Sequence, residues 1–115
     1  MININGVKTS SEEIRSVLKN DNVYDSKPIA VDLDDSGQHR LVVYVVPRDP
    51  RMLGSDTLRA ELRRDFQRSI KENLNPLLAH VEDVVLVSEL PQAGPGKTRT
   101  MEELRKDYAA RAAHA

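Results

Sequence analysis

Leu41-Val42-Val43-Tyr44-Val45-Val46 is apolar at every position. A strand with water on one face alternates apolar and polar residues, so an unbroken apolar run predicts a central strand covered on both sides. On its N-terminal side, Ile29, Val31 and Leu33 alternate with Ala30, Asp32 and Asp34, the pattern of a strand with one buried face. Asp34-Asp35-Ser36-Gly37 supplies turn chemistry between the two, and so short a connection makes them antiparallel. On the C-terminal side, Pro47 to Gly54 reads as a linker with two prolines, after which Ser55 or Asp56 can cap a helix. Leu58, Leu62, Phe66, Ile70 and Leu74 repeat every four residues, an apolar stripe that should cover one face of the sheet. Pro76 stops that helix, because the residue before a proline is pushed out of the helical region.

The ends of the chain complete the plan. Ile2 and Ile4 alternate with Asn3 and Asn5, and an extended pattern resumes at Val7-Lys8-Thr9, so a small hairpin turns at Asn5-Gly6. Ser10 and Glu13 form a capping box, and Ile14, Val17 and Leu18 then share a helical face, predicting a short helix to about Asn20. Asp21 to Pro28 reads as a loop. Val81 to Val87 is a further strand, leading into the Gly- and Pro-rich stretch Leu90-Pro91-Gln92-Ala93-Gly94-Pro95-Gly96-Lys97-Thr98, an exposed irregular loop that presents one lysine at its tip. Thr100 and Glu103 form a second capping box for a last helix carrying Leu104 and Tyr108. The expected fold is α+β: a small antiparallel sheet, an N-terminal two-stranded hairpin and about three helices in one domain.

Composition narrows the function. Seventeen basic and eighteen acidic side chains give a formal charge of −1, and one Phe with no Trp leaves few stacking platforms, so nucleic acid is disfavoured. The absence of cysteine excludes disulfides, thiolate zinc sites and a thiol nucleophile. No apolar run is long enough to cross a bilayer and the N-terminus lacks signal-peptide character, which makes a cytoplasmic location, away from membranes, the expectation.

Few residues invite chemistry. Gly96-Lys97-Thr98 imitates a phosphate-binding loop, but that pattern needs a glycine where Pro91 stands and a run of N–H groups that Pro95 interrupts. Lys97 is left either as a presented charge or as an idle solvated side chain. Arg59, Arg63, Arg64, Arg68 and Lys71 could grip a phosphate-bearing partner, although Glu61, Asp65 and Glu72 lie three or four residues from Arg64 and Arg68 and make an ion-paired, solvated surface the simpler reading. His39, His80 and His114 are isolated from one another, with no carboxylate or histidine at ligand spacing on a shared helix face, so no metal site is expected, and no Ser–His nucleophile pattern is recognisable.

Three blocks, in order and spanning nearly the whole chain, resemble the C-terminal subdomain of the adenylate-forming ligases: acyl-CoA synthetases, nonribosomal peptide adenylation domains and luciferases. Ile4-Asn5-Gly6-Val7-Lys8-Thr9-Ser10-Ser11-Glu12-Glu13-Ile14 is similar to that family's glycine-containing strand pair and following helix start. Leu41 to Pro47 is similar to its L-V-A-Y-V-V-P strand, and Leu90-Pro91 through Gly96-Lys97 to its L-P-x-T-x-x-G-K loop. Ile70 to Leu77 further resembles the acetoacetyl-CoA and short-chain acyl-CoA synthetase branch.

The resemblance implies an ATP-dependent ligase that joins a carboxylic acid first to AMP and then to the thiol of CoA or of a carrier protein's phosphopantetheine. Residues 1–115 would form the mobile lid over a large N-terminal domain that holds ATP, magnesium and the acid, none of which this sequence supplies. By the resemblance Lys97 is catalytic in adenylation, with Gly96 beside it, while Gly6 and Lys8 face the site for thioester formation, Lys8 touching a phosphate of ATP or CoA. Ala93 stands where the family has Thr or Ser, Arg99 comes one place before the usual arginine, and Met1 lies one residue beyond the family's hinge position. The chain alone is expected to be inactive. The alternative is a free-standing, non-catalytic module that binds CoA, a carrier protein or a split ligase partner.

Overall fold

The computed structural model describes residues 2–32, 39–90 and 97–113, without the side chains of residues 97–100 and 112–113. Along the chain come β1 (Ile2–Ile4), β2 (Val7–Thr9), α1 (Ser11–Val17), β3 (Val23–Val31), β4 (Arg40–Pro47), α2 (Asp56–Asn73), β5 (Val81–Leu86) and α3 (Lys97–Ala113). Single 3-10 turns occupy Pro50–Met52 and Pro76–Leu78. The α+β class, the N-terminal hairpin and the three helices are those expected.

β4 is the middle strand of a three-stranded sheet ordered β3-β4-β5. Its side chains divide as the unbroken apolar run requires: Leu41, Val43 and Val45 enter one buried cluster, and Val42 and Tyr44 enter the other. The first cluster lies under α1 and α2, which contribute Ile14, Leu58, Leu62, Phe66 and Ile70. The second lies under α3, which contributes Leu104 and Tyr108.

The sheet departs from the expected antiparallel arrangement. β3 and β4 are antiparallel, but β5 pairs with β4 in parallel, so the sheet is mixed. The cause is the intervening helix. α2 has 18 residues and, at about 1.5 Å per residue, returns the chain along the sheet before β5 begins.

Local boundaries also shift. α1 ends at Val17, short of Asn20, because Asn20 Oδ1 accepts the Asn22 N–H at 2.8 Å and forms a turn that competes with the helix. β3 starts at Val23 and runs through the expected loop, Pro28 included. A proline is tolerated there because β3 is an edge strand, and the Pro28 carbonyl accepts the Ser11 hydroxyl at 2.7 Å. β3 is also buried on two faces, with Ile29 and Val31 under α3 and Ala30 in the α1/α2 cluster. Ser55 caps α2 by accepting the Leu58 N–H at 3.1 Å, and Asn75 leaves the helical region at φ −158° before Pro76.

Candidate functional site

Gly6 occupies the turn of the β1–β2 hairpin, where Ile4 pairs with Val7. Asn5 and Gly6 have φ of 53° and 81°, the left-handed pair that a two-residue hairpin turn demands. A Cβ built on Gly6 would meet nothing within 4 Å, so the glycine serves the backbone conformation and leaves open space above it. The strand alternation buries Ile2 and Ile4 beneath the hairpin and turns Lys8 to solvent. Ile2 and Ile4 share the α1/α2 cluster, which places the hairpin on that side of the sheet.

Lys97 is the first residue of α3. This corrects two expectations: the lysine does not sit in an irregular loop, and the helix opens before Thr100. A capping-type residue is a middling helix former rather than a barrier, so the turn preceding Thr100 can join the helix. Pro91 to Gly96, including candidate Gly96, lies outside the described residues. No acidic residue falls in the first turn of α3 to offset the lysine. The positive end of the helix dipole is therefore not offset there, and anions are favoured at it.

Directional bonds hold α3 on the sheet. Tyr44 Oη donates to Asp107 Oδ2 at 2.5 Å, Arg105 Nε donates to the Ala30 carbonyl at 2.8 Å, and Tyr108 Oη donates to Asp83 Oδ2 at 3.2 Å. Burial, then Asp83, pushes the Tyr108 hydroxyl up to about 12. Burial and then Asp107 raise Tyr44 further in the same direction. Burial alone would raise Asp107, but the hydrogen bonds from Tyr44 and Arg111 outweigh it and hold the carboxyl below its ordinary value.

Arg59 is ion-paired as expected, to Asp56 at 3.3 Å and to Asp83, but it and Arg63 also reach past the helix surface to the backbone of β5. Arg59 Nε donates to the Val84 carbonyl at 2.9 Å and Nη2 to Asp83 at 2.9 Å, while Arg63 Nε donates to the Val81 carbonyl at 2.7 Å. β5 is an edge strand, and the two arginines satisfy carbonyls that a neighbouring strand would otherwise take. Both arginines precede β5 by more than one helical turn, so no local spacing announces this role. Beside them a cleft of about 410 Å³ is lined by Leu53, Arg59, Asp83, Val85, Leu86, Tyr108 and Arg111. Its cations are matched by Asp83 and Asp107, and its tyrosine is bonded to Asp83. Among the described residues no group of three His, Cys, Asp or Glu could hold a metal ion, and no helix is long and apolar enough to cross a membrane.

The structure thus puts the predicted site residues in two places, not one. Gly6 and Lys8 lie on the α1/α2 side of the sheet, and the helix that begins at Lys97 packs on the other.

No family model and no curated protein matches the chain. Solved structures do. An anthranilate CoA ligase in complex with anthranoyl-AMP superposes with a TM-score of 0.70 at 22% identity, over 98% of this chain and 20% of its own. A Brucella canis acyl-CoA synthetase gives 0.67 at 22% identity over 93% of this chain and 18% of its own. A benzoate CoA ligase from Burkholderia xenovorans gives 0.60 at 28% identity over 84% and 18%. The chain spans about a fifth of the length of these enzymes. Its fold is the one found in a segment of the adenylate-forming acyl-CoA and aryl-CoA ligases.

Proposed function

We propose that this chain is the mobile C-terminal subdomain of an ATP-dependent acid–thiol ligase. The observation that carries the reading is the separation of the two candidate regions onto opposite sides of one sheet. A rigid body with one functional region on each side can serve two successive steps by presenting first one and then the other to a single reaction centre.

The two steps are chemically distinct. In the first, a carboxylate oxygen attacks the α-phosphorus of ATP, forming an acyl-adenylate and releasing pyrophosphate. In the second, a thiol attacks the acyl carbon, forming a thioester and releasing AMP. The anions that meet in the first step repel one another. Lys97, a compact charge on a flexible stem at the positive end of α3, would lie between them and stabilise the charge that develops, with Gly96 allowing the close approach. In the second step the open space above Gly6 would let the pantetheine arm of CoA or of a carrier protein pass against the backbone, with Lys8 meeting a phosphate. The large partner domain would supply the adenine pocket, the magnesium ion and the pocket for the acid. Neighbours named for different acids, anthranilate and benzoate, share this fold, which supports the reading that the partner domain would select the acid.

Lys97→Ala in the complete ligase tests this. Acyl-adenylate formation, followed by pyrophosphate exchange, is expected to fall by about a hundredfold to a thousandfold. Thioester formation from supplied acyl-adenylate is expected to survive. Equal loss of both steps overturns the division of labour.

A further inference from the structure

The hairpin that carries Gly6 has little to hold it. Its two strands are three residues each and pair only with each other, and an isolated two-stranded hairpin is marginal in water. Ile2 and Ile4 anchor its strands in the core, but Asn5 and Gly6 at the turn are exposed. A polar tie from elsewhere among the described residues reaches the turn: Asn5 Nδ2 donates to the Leu77 carbonyl at 3.0 Å across 72 positions of sequence.

The receiving carbonyl is itself well placed. Leu77 lies in the 3-10 turn Pro76–Leu78, whose start is fixed by Asn75 Oδ1 accepting the Leu77 N–H at 2.9 Å. The next residue, Leu78, is 1% exposed and sits in the α1/α2 cluster. A continuous path therefore runs from the core through Leu78 and Leu77 to Asn5, and from Asn5 across one peptide bond to Gly6.

We infer that Asn5 is a positioning residue for the thioester-forming step: its bond to Leu77 holds the Gly6 turn where the thiol arm must pass. The inference rests on the function proposed above for Gly6. Asparagine meets two demands at once, since it tolerates φ of 53° and carries the amide donor that reaches Leu77.

The two demands can be separated. Asn5→Gly keeps the turn conformation and removes the donor, while Asn5→Asp keeps side-chain size and replaces the donor with an acceptor. Both are made in the complete ligase, with pantetheine, the arm common to CoA and carrier proteins, as the thiol. A net bond of this kind shifts a local equilibrium by on the order of three- to tenfold, and a fractionally populated competent turn raises apparent KM by the same factor. KM for pantetheine is therefore expected to rise about three- to tenfold in both variants. kcat at saturating thiol should hold, and pyrophosphate exchange should run at the parent rate. An unchanged KM in both variants, or an equal fall in both half-reactions, overturns the inference. Gly6→Ala, measured alongside, separates the two levels. If it slows thioester formation while the Asn5 variants leave KM unmoved, the positioning role alone is lost. If it has no effect on that step, the role assigned to Gly6 falls and the inference with it.

Discussion

The two sides of the sheet are held by different balances of apolar packing and directional bonds. Against α1 and α2 interlocking apolar side chains dominate: Leu58, Leu62, Phe66 and Ile70 form a continuous stripe over Leu41, Val43 and Val45, the last three stripe positions are fully buried, and Ser11, Arg59 and Arg63 add bonds to strand carbonyls at the margins. Against α3 the apolar contribution is small, with Leu104 and Tyr108 at 3% and 9% exposure, and directional bonds from Tyr44, Arg105 and Tyr108 supplement it. Apolar burial scales with area and is indifferent to small slips, whereas a hydrogen bond fails within a fraction of an ångström. The α1/α2 side thus supplies the stability of the domain. The α3 side sets the register of one helix, the helix that starts at Lys97.

The largest test of this contrast is Phe66→Ala. It empties a fully buried site among close-packed neighbours and should cost about 3–5 kcal/mol, a large share of the total stability of a domain this size. Loss is expected across the whole chain, read as one cooperative denaturation curve with a lower midpoint. Leu104→Ala should cost less, about 2–3 kcal/mol, the low end for leucine truncation, because its site lies in the smaller cluster and can collapse. Its effect should be local. Amide exchange is expected to accelerate in α3 and stay slow in α2 and β4. Equal acceleration in both helices would erase the distinction between a stabilising side and a positioning side.

How much of this was legible in the residues follows the range of each interaction. The β4 run, the α2 stripe, the Asn5-Gly6 turn and the Ser10 and Ser55 caps depend on neighbours within a few positions, and each is where the pattern places it. The Ser10 box is only half closed, since Glu13 accepts from Thr9 instead of returning to the Ser10 N–H. What was missed depends on distant partners. β5 is parallel because α2 reverses the path, Pro28 enters β3 because that strand has a free edge, and Arg59 and Arg63 turn to carbonyls that exist only once β5 is in place. Tyr44 meets Asp107 across 63 positions. Lys97 drew notice by its glycines and prolines, but its place at the head of α3 was not readable from them.

The finest test of the contrast is the alkaline limb of stability, because tyrosine hydroxyls hold α3 and none enters the α1/α2 cluster. In the unfolded chain Tyr108 ionises near pH 10, and in the fold it is pushed up to about 12 by burial and by Asp83. A group whose folded value is raised contributes its stability in full below the unfolded value and loses it as pH rises through the folded one. Tyr44 is raised in the same sense, so the attachment of α3 should weaken between about pH 10 and pH 12. Tyr108→Phe should cost about 1 kcal/mol at neutral pH, where its bond to Asp83 is intact, and should flatten the alkaline limb, because the phenyl ring cannot ionise. Urea midpoints of parent and variant, measured at pH 8 and pH 11, decide the matter. The gap between them should narrow at the higher pH. A gap that stays constant would mean that the bond from the Tyr108 hydroxyl to Asp83 does not hold α3, and would leave that role to Tyr44 and Arg105.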